Sequence, residues 1–437
     1  MRSRAGYSGG VEISSDLPGA LTAAMHSDWR GASAVAVGIV LLFAAGEVLR
    51  RVCSIETEYT RKLSHLGAGF IVAAFPWLLD HTLTVAVLAA AFFVLLLVGK
   101  LTGMLESVHG VERQTSGAYY YPLAVLGIFW LSRGDPLLYC PPVMVLAISD
   151  TGAALVGKRM GRRRYRVMDG ARSVEGSLTF FGLTFTIVLA ALALAGRPGW
   201  PEMLLVTLVV AIMATTTEAV SVRGTDNLFI PYACFLILER ALRMGLAELS
   251  GWFEGMIVSL ALMVLTWGRS GLTEAGGLTV FIVGTLAWAL GGWSWALPLA
   301  ALYGIFIAAV PAEDVRQTDM TEIFPATMGS MIVVLAFGHF QDDTLFVPYL
   351  ATLATGGAIA MQNMAQSRDW PQLPLAFSGA LAPTLPVLLI DPTIPLKSIG
   401  AAAAGGVLAF ALLSRTPLVG RRLLASLLAG ALAWAAS

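Results

Sequence analysis

Apolar residues in this chain come in long blocks. Through the first half they cover 34–49, 66–79, 82–98, 119–131, 139–157, 174–195 and 203–220, with short segments bearing Gly, Pro or charge between them. Most blocks run to about 15 to 22 residues, roughly what a helix rising ~1.5 Å per residue needs to cross a hydrocarbon core of ~30 Å. In that core every backbone N–H and C=O must find its partner within the segment, and helices do this. The pattern therefore predicts an all-α fold, a polytopic integral membrane protein with about 16 transmembrane helices. It divides into a mobile N-terminal tail over 1–32, a membrane domain over 33–248 and a second membrane domain over 249–437.

Composition strengthens this picture. Hydrophobic residues make up 57% of the chain and charged residues 13%, with a mean hydropathy of +0.75, well outside the soluble globular range. The 28 basic and 28 acidic residues cancel, so bulk attraction to nucleic acid is not expected. Cys53, Cys140 and Cys234 have neither an even count nor metal-ligand spacing, and are expected to be reduced thiols that fill space. The first thirty residues lack a compact apolar core with a small-residue cleavage site, so a cleaved signal peptide is not expected.

The basic residues sit where they set orientation. Arg50 and Arg51 close the first block, and Lys158, Arg159, Arg162, Arg163, Arg164, Arg166 and Arg172 crowd one loop against a single acid, Asp169. By the positive-inside rule both segments are cytoplasmic, and helix parity then puts 50–62, 100–117, 158–173 and 221–227 all on that side.

Several ionisable residues fall at the same membrane face, where they are expensive to bury. Asp150 lies within the 139–157 block, roughly 10 Å below the helix end at ~1.5 Å per residue. A structural ion pair would also explain it. Topology or anionic lipid headgroups would explain the arginines, a helix-end hydrogen bond His65, and simple capping Asp226 and Asn227. Glu175 is an ordinary first-turn acid. Taken singly each has such an explanation. Together, Lys62 with His65, Asp150 with Glu218 and Asp226, and Arg172-Ser173-Val174-Glu175-Gly176-Ser177 opening a helix form a set suited to a nucleotide triphosphate and a divalent metal.

These pieces resemble the membrane family of phytol, farnesol and dolichol kinases. The matching residues are Arg61-Lys62-Leu63-Ser64-His65, Asp150-Thr151-Gly152-Ala153 with Gly157-Lys158 and Gly161-Arg162, then Arg172 to Ser177, then Glu218 with Gly224-Thr225-Asp226-Asn227-Leu228 and Pro231, in the family's order over roughly 35–245. Arg172-Ser173 stands where the family usually has Lys-Ser, which keeps the charge but changes the geometry. The resemblance implies phosphoryl transfer from CTP or another nucleotide triphosphate to a long-chain isoprenoid alcohol such as phytol, farnesol or a polyprenol, at the cytoplasmic face. It implies Mg²⁺ held by Asp150 and Asp226, and phosphates bound by Lys158, Arg172 and the turn from Ser173 to Gly176, with Glu175 part of that cofactor-binding turn. Asn227 joins the nucleotide site, Glu218 supports metal or nucleotide, and Lys62 and His65 lie near the acceptor hydroxyl or the transferring group. A more distant likeness, to cytidylyltransferases that make CDP-activated lipids, shares the same nucleotide-handling residues. A transporter is the reading from another class; clustering of the acids toward one face rather than the midplane argues against it.

The second half opens on Gly268-Arg269-Ser270-Gly271, Gly276-Gly277 and Gly291-Gly292-Trp293, similar to the membrane family that includes phytyl-phosphate kinase. The acid-bearing signature expected further on is replaced by Ala351-Thr352-Leu353-Ala354-Thr355-Gly356-Gly357. Asp314, Arg316, Asp319, Glu322 and Asn363 are the polar residues left there, and they make no complete phosphate site.

Overall fold

The structure, a computed structural model, describes residues 17–53, 57–102, 117–167, 170–222, 224–309, 320–367, 369–387, 400 and 430. It is helical almost throughout, and among the described residues eight helices are long and apolar enough to cross a membrane: His26–Val52, Thr82–Gly99, Pro136–Met160, Val174–Ala195, Trp200–Val220, Leu246–Ser270, Glu274–Gly291 and Asp343–Gln366. That is half of the sixteen spans expected. Some of the difference has a visible cause: α2 (Thr57–Ala73), α5 (Gly117–Ser132) and α9 (Asp226–Ala241) are 17, 16 and 16 residues long, short of a full crossing. Side chains such as Leu194 and Leu265, 90% and 83% exposed, point outward as expected where the solvent is hydrocarbon.

The chain forms two compact units. The first comprises 1–161, 175–199 and 210–242; the second 162–174, 200–209 and 243–437.

In the first unit α1 (Leu17–Val52) begins well before the first predicted block, so 17–32 of the expected mobile tail is helical, while 1–16 lie outside the described residues. The cause is Asp28. It is only 3% exposed, and its carboxylate accepts from the backbone N–H groups of Asp80 and His81 at 3.2 and 3.0 Å, which anchors this end of α1 to the start of α4 (Thr82–Thr102).

Helix α2 gives way to the one-turn α3 (Phe75–Leu78). Pro76 has no N–H for the carbonyl of Val72, and the N–H of Trp77 bonds Ala74 rather than Ala73. Both orphaned carbonyls are satisfied by α6 (Pro136–Met160): the Tyr139 hydroxyl donates to Val72 O at 3.0 Å and Cys140 Sγ to Ala73 O at 3.4 Å. α6 is itself irregular. Pro141 and Pro142 remove two N–H donors, and a π-helical turn follows at Val145–Ser149. Gly69 lets α2 come close to that turn, because a Cβ there would stand only 2.2 Å from the Cβ of Ala147. Thr184 of α7 (Val174–Ala195) donates to Ser149 Oγ at 3.0 Å and fixes the turn from another side. α8 (Trp200–Val220) and α9 complete the helices that contribute to this unit.

The second unit holds the exception to the all-α expectation. Residues of the predicted basic loop pair as a hairpin, β1 (Arg164–Val167) antiparallel to β2 (Gly170–Ser173), and β1 packs against α11 (Glu274–Gly291). The remaining helices are α10 (Leu246–Ser270), α12 (Trp293–Ala309), α13 (Met320–Phe340), α14 (Phe346–Ser367) and α15 (Gln372–Leu381). Trp295 is the centre of their core, with its ring 4.3 Å from Phe337, 4.8 Å from Tyr349 and 5.2 Å from Phe346. Gly356 sits where a Cβ would be 1.7 Å from Ala326 O, so the segment that lacks the expected acid is a close-packing surface.

The thiols are free, but only in part as expected. Cys234 is buried and Cys140 half-buried, whereas Cys53 is exposed at the end of α1 and fills no interior space.

Candidate active site

Two antiparallel helices build the centre of the candidate site. On α2, Lys62, His65, Gly69 and Val72 share one face at helical spacing. On α6, Asp150 faces Lys62, Leu146 faces His65, Ala147 faces Gly69 and Tyr139 faces Val72. Lys62 Nζ donates to Asp150 Oδ2 at 2.6 Å, across 88 residues of sequence. His65 Nε2 lies 3.8 Å from the same oxygen and 3.1 Å from the carbonyl oxygen of Leu146. That carbonyl belongs to the π turn, where the usual helical pattern is broken and a carbonyl becomes available to a side chain. With Nε2 as the donor to Leu146, Nδ1 carries the lone pair of the neutral ring.

The cluster is shielded. The Lys62 side chain is 7% exposed, Asp150 14% and His65 16%. An ammonium and a carboxylate held this deep are stable only as a pair, since either alone would bear its full desolvation cost. The Tyr121 ring meets the His65 ring edge-on at 5.4 Å, and beyond it opens an apolar cavity of about 300 Å³ lined by residues of α1 to α5, among them Val35, Ile39, Val72, Phe75, Phe92 and Val125.

The other predicted residues of this unit lie at or near helix ends. The ammonium of Lys158 lies 5.2 Å from the Tyr59 ring centre, and the Arg159 guanidinium 5.7 Å, which joins the end of α6 to the start of α2. Gly117, which opens α5, sits so close to Asn227 and Gly224 that a Cβ on it would be 2.6 Å from Asn227 Nδ2. Asp226 occupies the first turn of α9, its Oδ1 accepting from the Asn227 N–H at 2.9 Å. Glu218 is buried at 5% exposure in the last turn of α8. Glu175 and Gly176 lie in the first turn of α7.

Arg172 and Ser173 are different: they end β2, in the second unit. The segments 103–116, 168–169, 310–319 and Arg223 lie outside the described residues. Among the described residues no group of three His, Cys, Asp or Glu side chains is arranged to hold a metal.

Tyr121 was not among the predicted residues, and neither was the Asp28 anchor. Tyr121 sits in the aromatic run Tyr119-Tyr120-Tyr121-Pro122, which marks a helix start but does not say which ring turns inward. Asp28 was hidden in a segment too polar to read as a helix.

No protein-family model matches the chain, and no solved structure matches it. A phytol kinase of Synechocystis sp. does: it is 34% identical over 212 residues, covering 47% of this chain and 88% of the relative. Identity at this level across nearly all of the relative is family-level likeness, and this chain belongs to the family of phytol and polyprenol kinases.

Proposed function

We propose that the protein is an integral-membrane kinase that transfers the γ-phosphoryl group of CTP, or of another nucleotide triphosphate, to a long-chain isoprenoid alcohol such as phytol, farnesol or a polyprenol. The observation that carries this reading is the juxtaposition of a buried Lys62–Asp150–His65 cluster with an apolar cavity of about 300 Å³ that begins at the next side chain, Tyr121. The cavity suits an isoprenoid chain and the cluster suits a reacting head group.

In this proposal the alcohol oxygen attacks the γ-phosphorus while the bond from phosphorus to the β–γ bridging oxygen breaks. The nucleoside diphosphate leaves with that oxygen. The alcohol's proton passes to Nδ1 of His65, whose other nitrogen is fixed by Leu146 O. Lys62 carries positive charge beside the transferring oxygens, and Asp150 holds Lys62 and His65 in register. Catalysis is then mostly positioning and charge stabilisation.

Mg²⁺ fits the donor set only in part. No three-ligand cluster is present among the described residues, and Asp150 Oδ2 is taken by Lys62. Mg²⁺ at phosphoryl-transfer sites is, however, commonly bound through one or two carboxylates with the substrate phosphates. Asp150 Oδ1 and the Asp226 carboxylate are the groups assigned to it here, and the ion would neutralise phosphate charge. Lys158, Arg172, Ser173, Glu175, Gly176 and Asn227 are assigned to the nucleotide and Glu218 to its support, on the motif resemblance. The face involved is assigned to the cytoplasm on the basic segments of the sequence.

The test uses membranes carrying the protein, each γ-labelled triphosphate in turn and a panel of prenyl alcohols, followed by lipid extraction. Label in a lipid phosphate with a nucleoside diphosphate as co-product is the expected result. Pyrophosphate as the co-product, with nucleotide in the lipid, would replace the kinase by a cytidylyltransferase.

A further inference from the structure

Tyr121 is 6% exposed, and its hydroxyl has no hydrogen-bond partner. Buried hydroxyls are nearly always paired, so an orphan calls for an explanation. Here the same unit recruits the Tyr139 hydroxyl to rescue a single carbonyl. The surroundings of Tyr121 supply one. Its ring edge packs on His65, and its hydroxyl lies beside α2 at the level of Gly69, where a Cβ would be 4.0 Å away. It also lines the apolar cavity, in which it is the one polar residue among the lining residues described. A single hydroxyl therefore stands at the join between a chamber with nothing to offer but dispersion contacts and a buried charged cluster.

We propose that the Tyr121 hydroxyl is the group that receives the acceptor's hydroxyl: it hydrogen-bonds the alcohol oxygen while the isoprenoid chain lies in the cavity behind it. This rests on the kinase reading above and adds to it a specificity-determining residue. A phenol suits the task because it can donate to or accept from an alcohol and remains neutral. It also costs little conformational entropy to fix, since the ring is already held by His65 and the cavity wall. Ser64 and Thr151 also carry buried hydroxyls without partners, next to Lys62–His65 and Asp150 in sequence. Neither lines the cavity, so neither is placed to discriminate a prenyl alcohol from a prenyl hydrocarbon.

The experiment compares binding of phytol and of the hydrocarbon with the same chain but no hydroxyl, to the full-length protein and to Tyr121→Phe in detergent. Phe keeps the ring, its contact with His65 and nearly all of its volume, and the thermal midpoint checks the fold. The wild type is expected to prefer the alcohol by about tenfold, the scale of one well-placed hydrogen bond, and Tyr121→Phe to show no preference. In a transfer assay the variant's kcat/KM for phytol should fall about 10- to 100-fold while the KM for the nucleotide stays unchanged. An equal preference in both proteins, or none in the wild type, overturns the inference; should Tyr121→Phe fail to fold, Tyr121→Leu takes its place in the same comparison. Alcohol binding that depends on Tyr121, without any phosphoryl transfer, would instead sink the kinase reading and leave the acceptor site standing.

Discussion

The two units are built from the same material and handle polarity in opposite ways. In the second unit the fully buried polar side chains described are neutral, and most of them turn back on their own helix: Thr279 to Ala275 O, Ser330 to Thr327 O, Thr352 to Tyr349 O and Thr355 to Ala351 O. In the first unit the fully buried polar residues include Asp28, Lys62 and Glu218, and the Lys62–Asp150 contact joins helices far apart in sequence. A hydroxyl bonded to its own helix asks nothing of its neighbours. A buried ammonium needs a specific partner, and a membrane protein retains one where the charge has a task.

The largest effect is therefore expected at the ion pair. Asp150→Asn removes the charge opposite Lys62 and should lower phosphoryl transfer at least a hundredfold, about 3 kcal/mol of barrier. It should also lower stability by about 3–5 kcal/mol, because Lys62 is left buried without its counter-charge. On the sequence alone, a merely structural acid would tolerate the amide; the contact with Lys62 removes that simple contrast. The double variant Lys62→Met/Asp150→Leu restores it. Replacing both charges with apolar groups should return the thermal midpoint to near wild type while activity stays lost. Recovery of phosphoryl transfer in the double variant would make the pair structural and take the centre out of the proposed site.

How far this centre was legible depends on the physics of each residue. Lys62, His65 and Asp150 stood out because ionisable groups within apolar blocks are costly, and the structure brings these three together. The helix ends were readable to within a few residues for the blocks 82–98, 119–131, 139–157, 174–195 and 203–220, but not for α1 and α2, which begin well before the blocks expected there. The hairpin was not, because seven basic residues dominate 158–172 and mask the alternation of Arg164-Tyr165-Arg166-Val167 ahead of Asp169-Gly170, itself a turn signal. Nor could the pattern show that 162–174 and 200–209 group with residues beyond 243. A fragment cut at 250 would keep the kinase-like motifs but lose α11, against which β1 packs.

The second unit's core supplies the next effect. Trp295→Ala should cost about 3–5 kcal/mol of stability by emptying the centre of an aromatic cluster. At a temperature where the variant remains folded, kcat should stay within about threefold of wild type, since no charged group of the candidate centre is touched. Circular dichroism melting and the lipid-phosphate assay on one preparation separate the two outcomes. A collapse of kcat in a folded Trp295→Ala protein would give the second unit a part in the chemistry.

Tyr139→Phe tests the seam between α2 and α6. The hydroxyl takes the place of the N–H that Pro76 lacks, so its loss leaves Val72 O buried and unpaired, at a cost of about 1–3 kcal/mol. Equilibrium unfolding in mild denaturant should register it. An unchanged midpoint would mean that the carbonyl finds another donor and that the seam is held by packing alone.

The smallest effect expected is the one that bears most directly on the comparison. Thr355 is fully buried in α14, within the segment that stands in place of the acid-bearing signature, and its hydroxyl bonds Ala351 O at 2.8 Å in its own helix. Thr355→Val keeps the branched shape and removes the hydroxyl. The carbonyl keeps its place in the helical ladder, so no buried group is orphaned, and the change in stability should fall within about 1 kcal/mol of zero. Phosphoryl transfer should stay within about twofold. If Thr355→Val instead lost activity at an unchanged thermal midpoint, that hydroxyl would be facing a ligand rather than its own helix, and the second unit would hold a site of its own despite its neutral interior.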